Sequence, residues 1–350
     1  MLARLLWVAV LGACAGKYGG EPPQHPTAPA KPGETEKIGR IEDAALPYSI
    51  LDPKTGHEID ANAFWDRLAK SRVVCVGEEH SNPHHHWFQL EVVKHLAKSW
   101  PHFALGMEMV QRPFQGVLDD YAAKKIDAAA LRSRTGWEDR WGFDFGFYGP
   151  TMDAAVNAHA ALLALNASRE LTKKIAHHGL GSLTPEERAQ LPAEIVLNDA
   201  KHRAWFDAMM SEMSGGGDPH SPHGAGPSGP AGSGGPGTGS GSGSDATGSG
   251  MGAMPEMPTA DNVYAVQVTW DESMADGAAK WLAANKDGHV IILAGSGHCH
   301  DSGIVNRLRR RGYVDAVSTR EIVDDGEGGV SDELAKPNND FLIVLTLPKK

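Results

Sequence analysis

Short apolar runs rich in β-branched residues alternate with stretches of helical periodicity along most of this 350-residue chain. The apolar runs predict strands at 72–76, 103–107, 161–165, 264–268, 290–293, 314–317 and 341–345. The helical stretches lie at 83–98, 112–124, 151–159, 185–191, 200–213, 271–284 and 302–311. Strands that are apolar throughout and are separated by helices are typical of a mainly parallel sheet with helices on both faces. The pattern therefore predicts an α/β fold.

Two segments interrupt this pattern because they carry few apolar residues. Residues 15–37 are rich in Pro and Gly, and residues 214–258 form a Gly/Ser/Pro stretch with almost no apolar side chain before Met251. Such segments bury too little apolar surface to offset the entropy lost on folding, so both are predicted to be disordered. We expect residues 45–350 to form one domain that is interrupted by the insertion. Two separate domains are the alternative.

The first residues read MLARLLWVAVLGAC and resemble an export signal. The apolar run at 5–10 is too short to cross a bilayer as a helix, but it suits the centre of a secretory signal peptide. Small residues directly before Cys14 resemble the lipobox of bacterial lipoproteins, with an ordinary signal peptide as the alternative. The lipobox implies a signal peptide at 1–13, a lipid on Cys14, and a lipid-anchored flexible tether at 14–44.

Composition narrows the possible functions. The chain has 33 Lys and Arg against 44 Asp and Glu, and its net charge of −11 argues against a nucleic-acid partner. Its three cysteines are too few for a disulfide framework. Cys75 is predicted to be a core residue, and Cys299 is expected to pack rather than to bind a metal. The 17 histidines direct attention to metal or haem chemistry, because neutral imidazole is the commonest metal ligand.

Polar residues with ligand chemistry follow three of the predicted strands. The strands continue, in turn, into Gly77-Glu78-Glu79-His80, into Glu108, and through Ala294 into Gly295-Ser296-Gly297-His298. Because the carboxyl ends of parallel strands share one edge of a sheet, where ligands bind, we predict that His80, Glu108 and His298 meet there. Two imidazoles and a carboxylate can hold a divalent metal ion. They can equally line one face of a haem.

Four stretches of the sequence resemble the ChaN family, which comprises haem-binding, iron-regulated bacterial lipoproteins. They are GEEHSNPHHHWFQLEVVKHL, LGMEMVQRPFQGVLDDYAAKKIDAAALRSRTGW, DFGFYGPTMDAAVNAHAALLALNASREL and ILAGSGHCHDSGIVNRLRRRG, in the same order as in the family. ChaN is similar to a wider superfamily with Tiki, TraB and erythromycin esterase-like proteins. Its recurrent Gly-x-x-His, Glu and late Gly-x-x-His correspond here to Gly77 with His80, to Glu108, and to Gly295 with His298.

The resemblance implies a lipid-anchored protein that binds haem in haem or iron acquisition. It also implies that a tyrosine binds the haem iron and that two haems lie face to face in a homodimer. Tyr148 is the candidate ligand by motif; a buried turn tyrosine bonded to backbone is the alternative. We therefore expect Tyr148, His80, Glu108 and His298 to contact the haem. The insertion at 214–258 departs from the family pattern and leaves the dimer open.

A metal-dependent hydrolase or protease of the Tiki/TraB type is the alternative function. There His80, Glu108 and His298 would hold the metal, and Glu78 or Glu79 would take the proton from a bound water that attacks an amide or ester. The same residues serve both functions. The sequence therefore leaves open whether the chain is an enzyme.

Replacing Cys14 by Ser is expected to leave the precursor uncleaved and without acyl chains. Ala15 follows Cys14 where an inner-membrane lipoprotein would carry Asp, so the unaltered protein is expected in the outer membrane. Two or more acyl chains anchor a protein nearly permanently, whereas one gives only marginal binding. Fractionation after a carbonate wash measures the difference. A C14S protein found wholly with the membranes would show that the lipobox interpretation is wrong.

Overall fold

The computed structural model describes residues 46–213, 258–324, 326 and 328–347. The predicted lipid site Cys14, the tether at 14–44 and nearly all of the insertion at 214–258 lie outside the described residues. Among the helices that the structure describes, none is long and apolar enough to cross a membrane.

Seven strands form one sheet. They are β1 (Tyr48–Leu51), β2 (Val73–Val76), β3 (Phe103–Gln111), β4 (Ala161–Asn166), β5 (His289–Leu293), β6 (Val317–Asp324) and β7 (Phe341–Thr346). Their order across the sheet is β1-β7-β6-β2-β5-β3-β4. Strand β1 is antiparallel to β7, and every other neighbouring pair is parallel. The predicted α/β fold with a mainly parallel sheet is therefore confirmed.

Twelve helices accompany the sheet in the described part of the chain. They are α1 (Ala61–Lys70), α2 (Pro83–Leu96), α3 (Gln115–Ala122), α4 (Ala128–Thr135), α5 (Trp137–Arg140), α6 (Gly149–Asn157), α7 (Arg169–His178), α8 (Pro185–Arg188), α9 (Ala200–Met213), α10 (Ala260–Ala284), α11 (Ile304–Arg310) and α12 (Gly329–Ala335). Helix α2 begins where the sequence predicts, because the Asn82 side chain accepts a hydrogen bond from the backbone N–H of His84 and Pro83 occupies the first turn.

Successive side chains of each central strand enter two different apolar clusters, one on each face of the sheet. Val74 of β2 packs in the cluster that contains Phe88 of α2. Its neighbour Val73 packs in the opposite cluster, together with Met274 of α10. Both faces of the sheet are thus covered by helices, as the apolar strands predict.

Two of the predicted strands are wrong or displaced. Residues 264–268 belong to α10, a 25-residue helix in which every residue from Tyr264 to Ala275 is buried. A helix buried on nearly all sides has a continuous apolar run that resembles a strand. The strand predicted at 314–317 begins only at Val317 and continues to Asp324, because its second half carries polar residues such as Glu321 that hid it from the pattern.

A disulfide joins Cys75 of β2 to Cys299, which lies in the loop after β5. Their Cα atoms are 5.5 Å apart although 224 residues separate them in sequence. Both side chains are buried in the cluster that α10 covers. Both cysteines are therefore core residues, as the sequence predicts, but the bond between them was not predicted. It forms because β2 and β5 are neighbours in the sheet and the loop after β5 reaches back to β2.

Candidate functional site

The carboxyl ends of β2, β5 and β3 lie side by side at the centre of the sheet. Glu108 lies within β3 rather than after it, because this strand continues to Gln111. Nε2 of His298 lies 3.5 Å from Oε1 of Glu108. The charges of Glu108 and His298 both act on the imidazole of His80. The structure therefore brings His80, Glu108 and His298 to the same edge of the sheet.

The carboxylate of Glu78 is fully buried and is the centre of a hydrogen-bond network. Its Oε1 accepts a hydrogen bond from the Tyr148 hydroxyl at 2.7 Å and lies 2.7 Å from Nδ1 of His80. Its Oε2 accepts from Nε2 of Gln89 at 2.7 Å. Burial acts to raise the pKa of Glu78, but His86 and His80 lower it to about 2. Glu78 is therefore an anion at neutral pH.

His80 takes its orientation from Glu78. Burial acts to lower the pKa of His80, but the hydrogen bond to Glu78 and the charge of that carboxylate outweigh burial and raise the pKa. Glu78 already accepts hydrogen bonds from Tyr148 and Gln89, and its pKa is low, so it is a weak base. It therefore does not suit the proton-accepting role expected in a hydrolase. Glu79, the other residue predicted for that role, faces Arg320 with 3.7 Å between their charged atoms.

His298 is held in the same way by a second buried carboxylate. Its Nδ1 lies 2.6 Å from Oδ1 of Asp271 on α10, and Nε2 of Gln267 lies 3.1 Å from the same ring nitrogen. Burial acts to lower the pKa of His298, but the charges of Glu108 and Asp271 raise it. Asp271 is not among the site residues predicted from the sequence. The sequence signal that could have identified Asp271 is an acidic residue within the apolar part of a long helix.

Asp271 is itself charged. Burial acts to raise the pKa of this carboxyl, but Arg307 and His298 hold it well below its usual range. Nε2 of His202 on α9 lies 3.1 Å from Oδ2 of Asp271, and the guanidinium of Arg307 lies 3.3 Å from the same oxygen. The two helices that flank the insertion in sequence, α9 and α10, therefore meet behind His298.

Aromatic rings cover the His80 side of the site. The ring centroids of Trp141 and Phe143 lie 4.7 Å and 4.9 Å from that of His80. Phe147 stacks on His86 with 4.8 Å between centroids. All three aromatic side chains are partly exposed to solvent. The site therefore combines imidazoles with an aromatic surface that solvent reaches.

Tyr148 does not present its hydroxyl to a ligand in this structure. The side chain is fully buried, and burial together with the charge of Glu78 raises its pKa well above the ordinary value. The other tyrosines in the described ranges, Tyr48, Tyr121, Tyr264 and Tyr313, also have side-chain or backbone partners for their hydroxyls. A phenolate ligand needs an accessible, deprotonated oxygen. The alternative of a buried turn tyrosine fits better, with Glu78 rather than the backbone as its acceptor.

The predicted metal centre finds no support. Within 46–213, 258–324, 326 and 328–347, no group of three His, Cys, Asp or Glu side chains is arranged to hold a metal ion. Glu108 already accepts a hydrogen bond from the backbone N–H of Gly295 at 2.7 Å.

Glu321 of β6 places a further buried carboxyl beside the site, and its pKa shifts in the opposite direction to that of Glu78. Its Oε1 accepts from the Thr319 hydroxyl at 2.5 Å, while Oε2 is buried with no hydrogen-bond partner. Burial, with a further contribution from the charge of Glu78, raises the pKa of Glu321 to about 8. A Cβ atom at Gly77 would lie only 2.9 Å from Oε2 of Glu321. This close approach explains why a glycine begins the first Gly-x-x-His.

Comparison with known proteins identifies relatives of the chain. The model of the family described as "Haem-binding uptake, Tiki superfamily, ChaN" matches residues 64–308. The structure of ChaN of Campylobacter jejuni with cofacial haem has a TM-score of 0.56 and 17% identity, covering 85% of this chain and 96% of that chain. The structure of the type III effector HopBA1 has a TM-score of 0.37 and 11% identity, covering 82% of this chain and 92% of that chain. This TM-score is too low to carry an argument. No curated protein matches the sequence. The ChaN structure shows a shared fold.

Tyr148→Phe is expected to destabilise the protein by about 1–3 kcal/mol, because it removes a buried donor from the Glu78 carboxylate. It should leave the Soret band of added hemin at the parent wavelength, because the hydroxyl is buried and bonded to Glu78. Urea unfolding and absorption spectra measure the two effects. In Tyr313→Phe, the control, a hydroxyl far from the site loses its bond to the carbonyl of Ala279. A Soret shift confined to Tyr148→Phe would contradict this assignment.

Glu321→Gln is expected to lose less stability than the parent as pH rises from 4.5, the ordinary glutamate pKa, to about 8. In that range the unfolded chain releases this proton and the folded chain keeps it, so the parent becomes less stable with rising pH. Glutamine cannot ionise and has a similar shape. Urea unfolding at several pH values tests this, with Glu194→Gln at an exposed position as the control. Parallel stability curves for parent and Glu321→Gln would count against a neutral Glu321.

Proposed function

The chain belongs to the family of haem-binding uptake proteins of the Tiki superfamily that includes ChaN, and from this we propose that it is a lipid-anchored haem-binding protein of the cell envelope. Its role would be haem or iron acquisition. The observation that carries the proposal is the family match over residues 64–308, which includes His80, Glu108, Tyr148 and His298.

The aromatic surface beside His80 suits a flat, apolar macrocycle. Trp141, Phe143 and Phe147 offer ring faces and edges that solvent reaches, and rings of this size contribute much of the contact area in ligand sites. These residues come from one segment, with its aromatic side chains at alternate positions from Trp141 to Phe147. The porphyrin would pack against this segment.

His80 and His298 are the residues that would hold the haem iron. In each ring, Nδ1 faces a buried carboxylate, which fixes the ring orientation and makes the other nitrogen more basic. This arrangement is common behind histidines that bind metals, and it replaces the tyrosine that the family resemblance implies. Bound haem would supply a redox-active iron whose affinity and potential depend on the axial ligand and on local hydrogen bonds.

The disulfide between Cys75 and Cys299 supports a location outside the reducing cytoplasm, because such bonds form and persist in oxidising compartments. The lipid on Cys14 and the outer membrane remain predictions from the N-terminal sequence. A homodimer with facing haems also remains a prediction. The hydrolase alternative receives no support from the described residues, which contain no candidate metal group.

Hemin titration of the mature protein, purified from the envelope in detergent, tests the proposal. We expect a saturable Soret change, and His80→Ala or His298→Ala should weaken hemin binding by about tenfold or more, a loss of at least about 1.4 kcal/mol. The matched control is His102→Ala, which removes an imidazole that pairs with Asp287 at the opposite edge of the sheet. Unsaturable binding, or an equal loss in His102→Ala, would count against a specific site.

A further inference from the structure

We propose that the Cys75–Cys299 disulfide is an oxidation-dependent lock that completes the haem site. The chain would gain its full affinity for haem only after these two cysteines have been oxidised. This inference rests on the proposed function and concerns the regulation of that same site.

The disulfide joins the two segments that carry the site histidines. Cys75 belongs to β2, which leads directly into Gly77 and on to His80. Cys299 follows His298 in sequence. The bond therefore fixes the position of one histidine-bearing segment relative to the other, with 5.5 Å between the two Cα atoms.

Besides the disulfide, the loop after β5 is held by the packing of its buried side chains and by individual hydrogen bonds. The backbone N–H of Ser296 donates to the Glu78 carbonyl at 2.9 Å. Gln267 donates to the Gly297 carbonyl at 2.9 Å, and Asn339 donates to the Cys299 carbonyl at 2.7 Å. Each such bond stabilises a fold by only about 0.5–1.5 kcal/mol. Glycines in the loop increase the entropy that it loses on ordering.

The geometry of His298 is sensitive to small shifts of this loop. Its Nδ1 lies 2.6 Å from Asp271 while its Nε2 lies 3.5 Å from Glu108. Hydrogen bonds weaken steeply outside a narrow range of distance and angle, so a displacement of about 1 Å would break the contact with Asp271.

Formation of the lock is a thiol–disulfide exchange. The thiols of Cys75 and Cys299 together lose two protons and two electrons, and a sulfur–sulfur bond forms between them. The disulfide of a thiol–disulfide oxidoreductase is the oxidant, and it takes up the two electrons and two protons to leave as a dithiol. Both cysteine side chains are fully buried in the finished fold. Exchange must therefore occur before the loop packs against α10, so the state of the site is set during folding.

The double variant Cys75→Ala/Cys299→Ala tests the lock in the full mature protein. Its dissociation constant for hemin is expected to rise about tenfold. The matched control is Leu282→Ala, a buried residue of the same apolar cluster near the carboxyl end of α10. This control should lose thermal stability, yet bind hemin as the parent does. All measurements are made well below the melting temperature of each variant.

Hydrogen exchange of the Ser296 backbone N–H, which donates to the Glu78 carbonyl, provides a readout that does not require haem. Exchange should become several-fold faster in the double variant, because the loop opens more often, and stay as in the parent in Leu282→Ala. If the double variant does not fold, the parent refolded under reductant takes its place, with its two thiols confirmed by mass after denaturing alkylation.

Unchanged Ser296 exchange without the disulfide overturns the lock, whatever hemin does. An unchanged hemin affinity in the double variant, with a parent that binds, overturns its role in haem binding. A parent that binds no hemin contradicts the proposed function, and the exchange comparison then still decides whether the disulfide holds the loop that carries His298.

Discussion

The buried carboxylate of Glu78 is the group on which the His80 half of the site depends. An unpaired ion in a protein interior costs several kcal/mol, so the fold must supply partners for it. Tyr148 and Gln89 donate to Glu78, and His80 faces it. These partners tie together the segment after β2, helix α2 and the turn before α6. Consequently Tyr148 is buried, His80 is oriented, and the pKa of Glu78 stays at about 2.

The same chemistry recurs around His298, where Asp271 occupies the place that Glu78 has behind His80. The two pairs come from different parts of the chain, one after β2 and one between α10 and the loop after β5. Glu108 lies within β3, the strand beside β5, and the disulfide joins the two histidine-bearing segments. Two basic imidazoles at one sheet edge, beside an aromatic surface, form a site that suits a haem better than a bare metal ion.

Much of this arrangement could be predicted from sequence, because the carboxyl ends of parallel strands lie at the same edge of a sheet. His80 and His298 follow apolar strands, Glu108 lies within one, and β2, β5 and β3 proved to be adjacent. Asp271 could not be found this way, because its helix is buried on nearly all sides and part of it resembles a strand. The disulfide could not be predicted either, because no local sequence pattern indicates that two cysteines 224 residues apart are close in space. The motif around Tyr148 identified a residue that lies at the site, but not its burial or its hydrogen bond to Glu78.

The nature of the axial ligand tests the account most directly. Pulsed electron paramagnetic resonance of the ferric hemin complex, prepared from protein labelled with ¹⁵N only in histidine, detects an imidazole bound to the iron. The account predicts an axial ¹⁵N hyperfine coupling that disappears when both His80 and His298 are replaced by Ala. A complex without axial ¹⁵N coupling, with the charge-transfer band of a tyrosinate ligand, would contradict it.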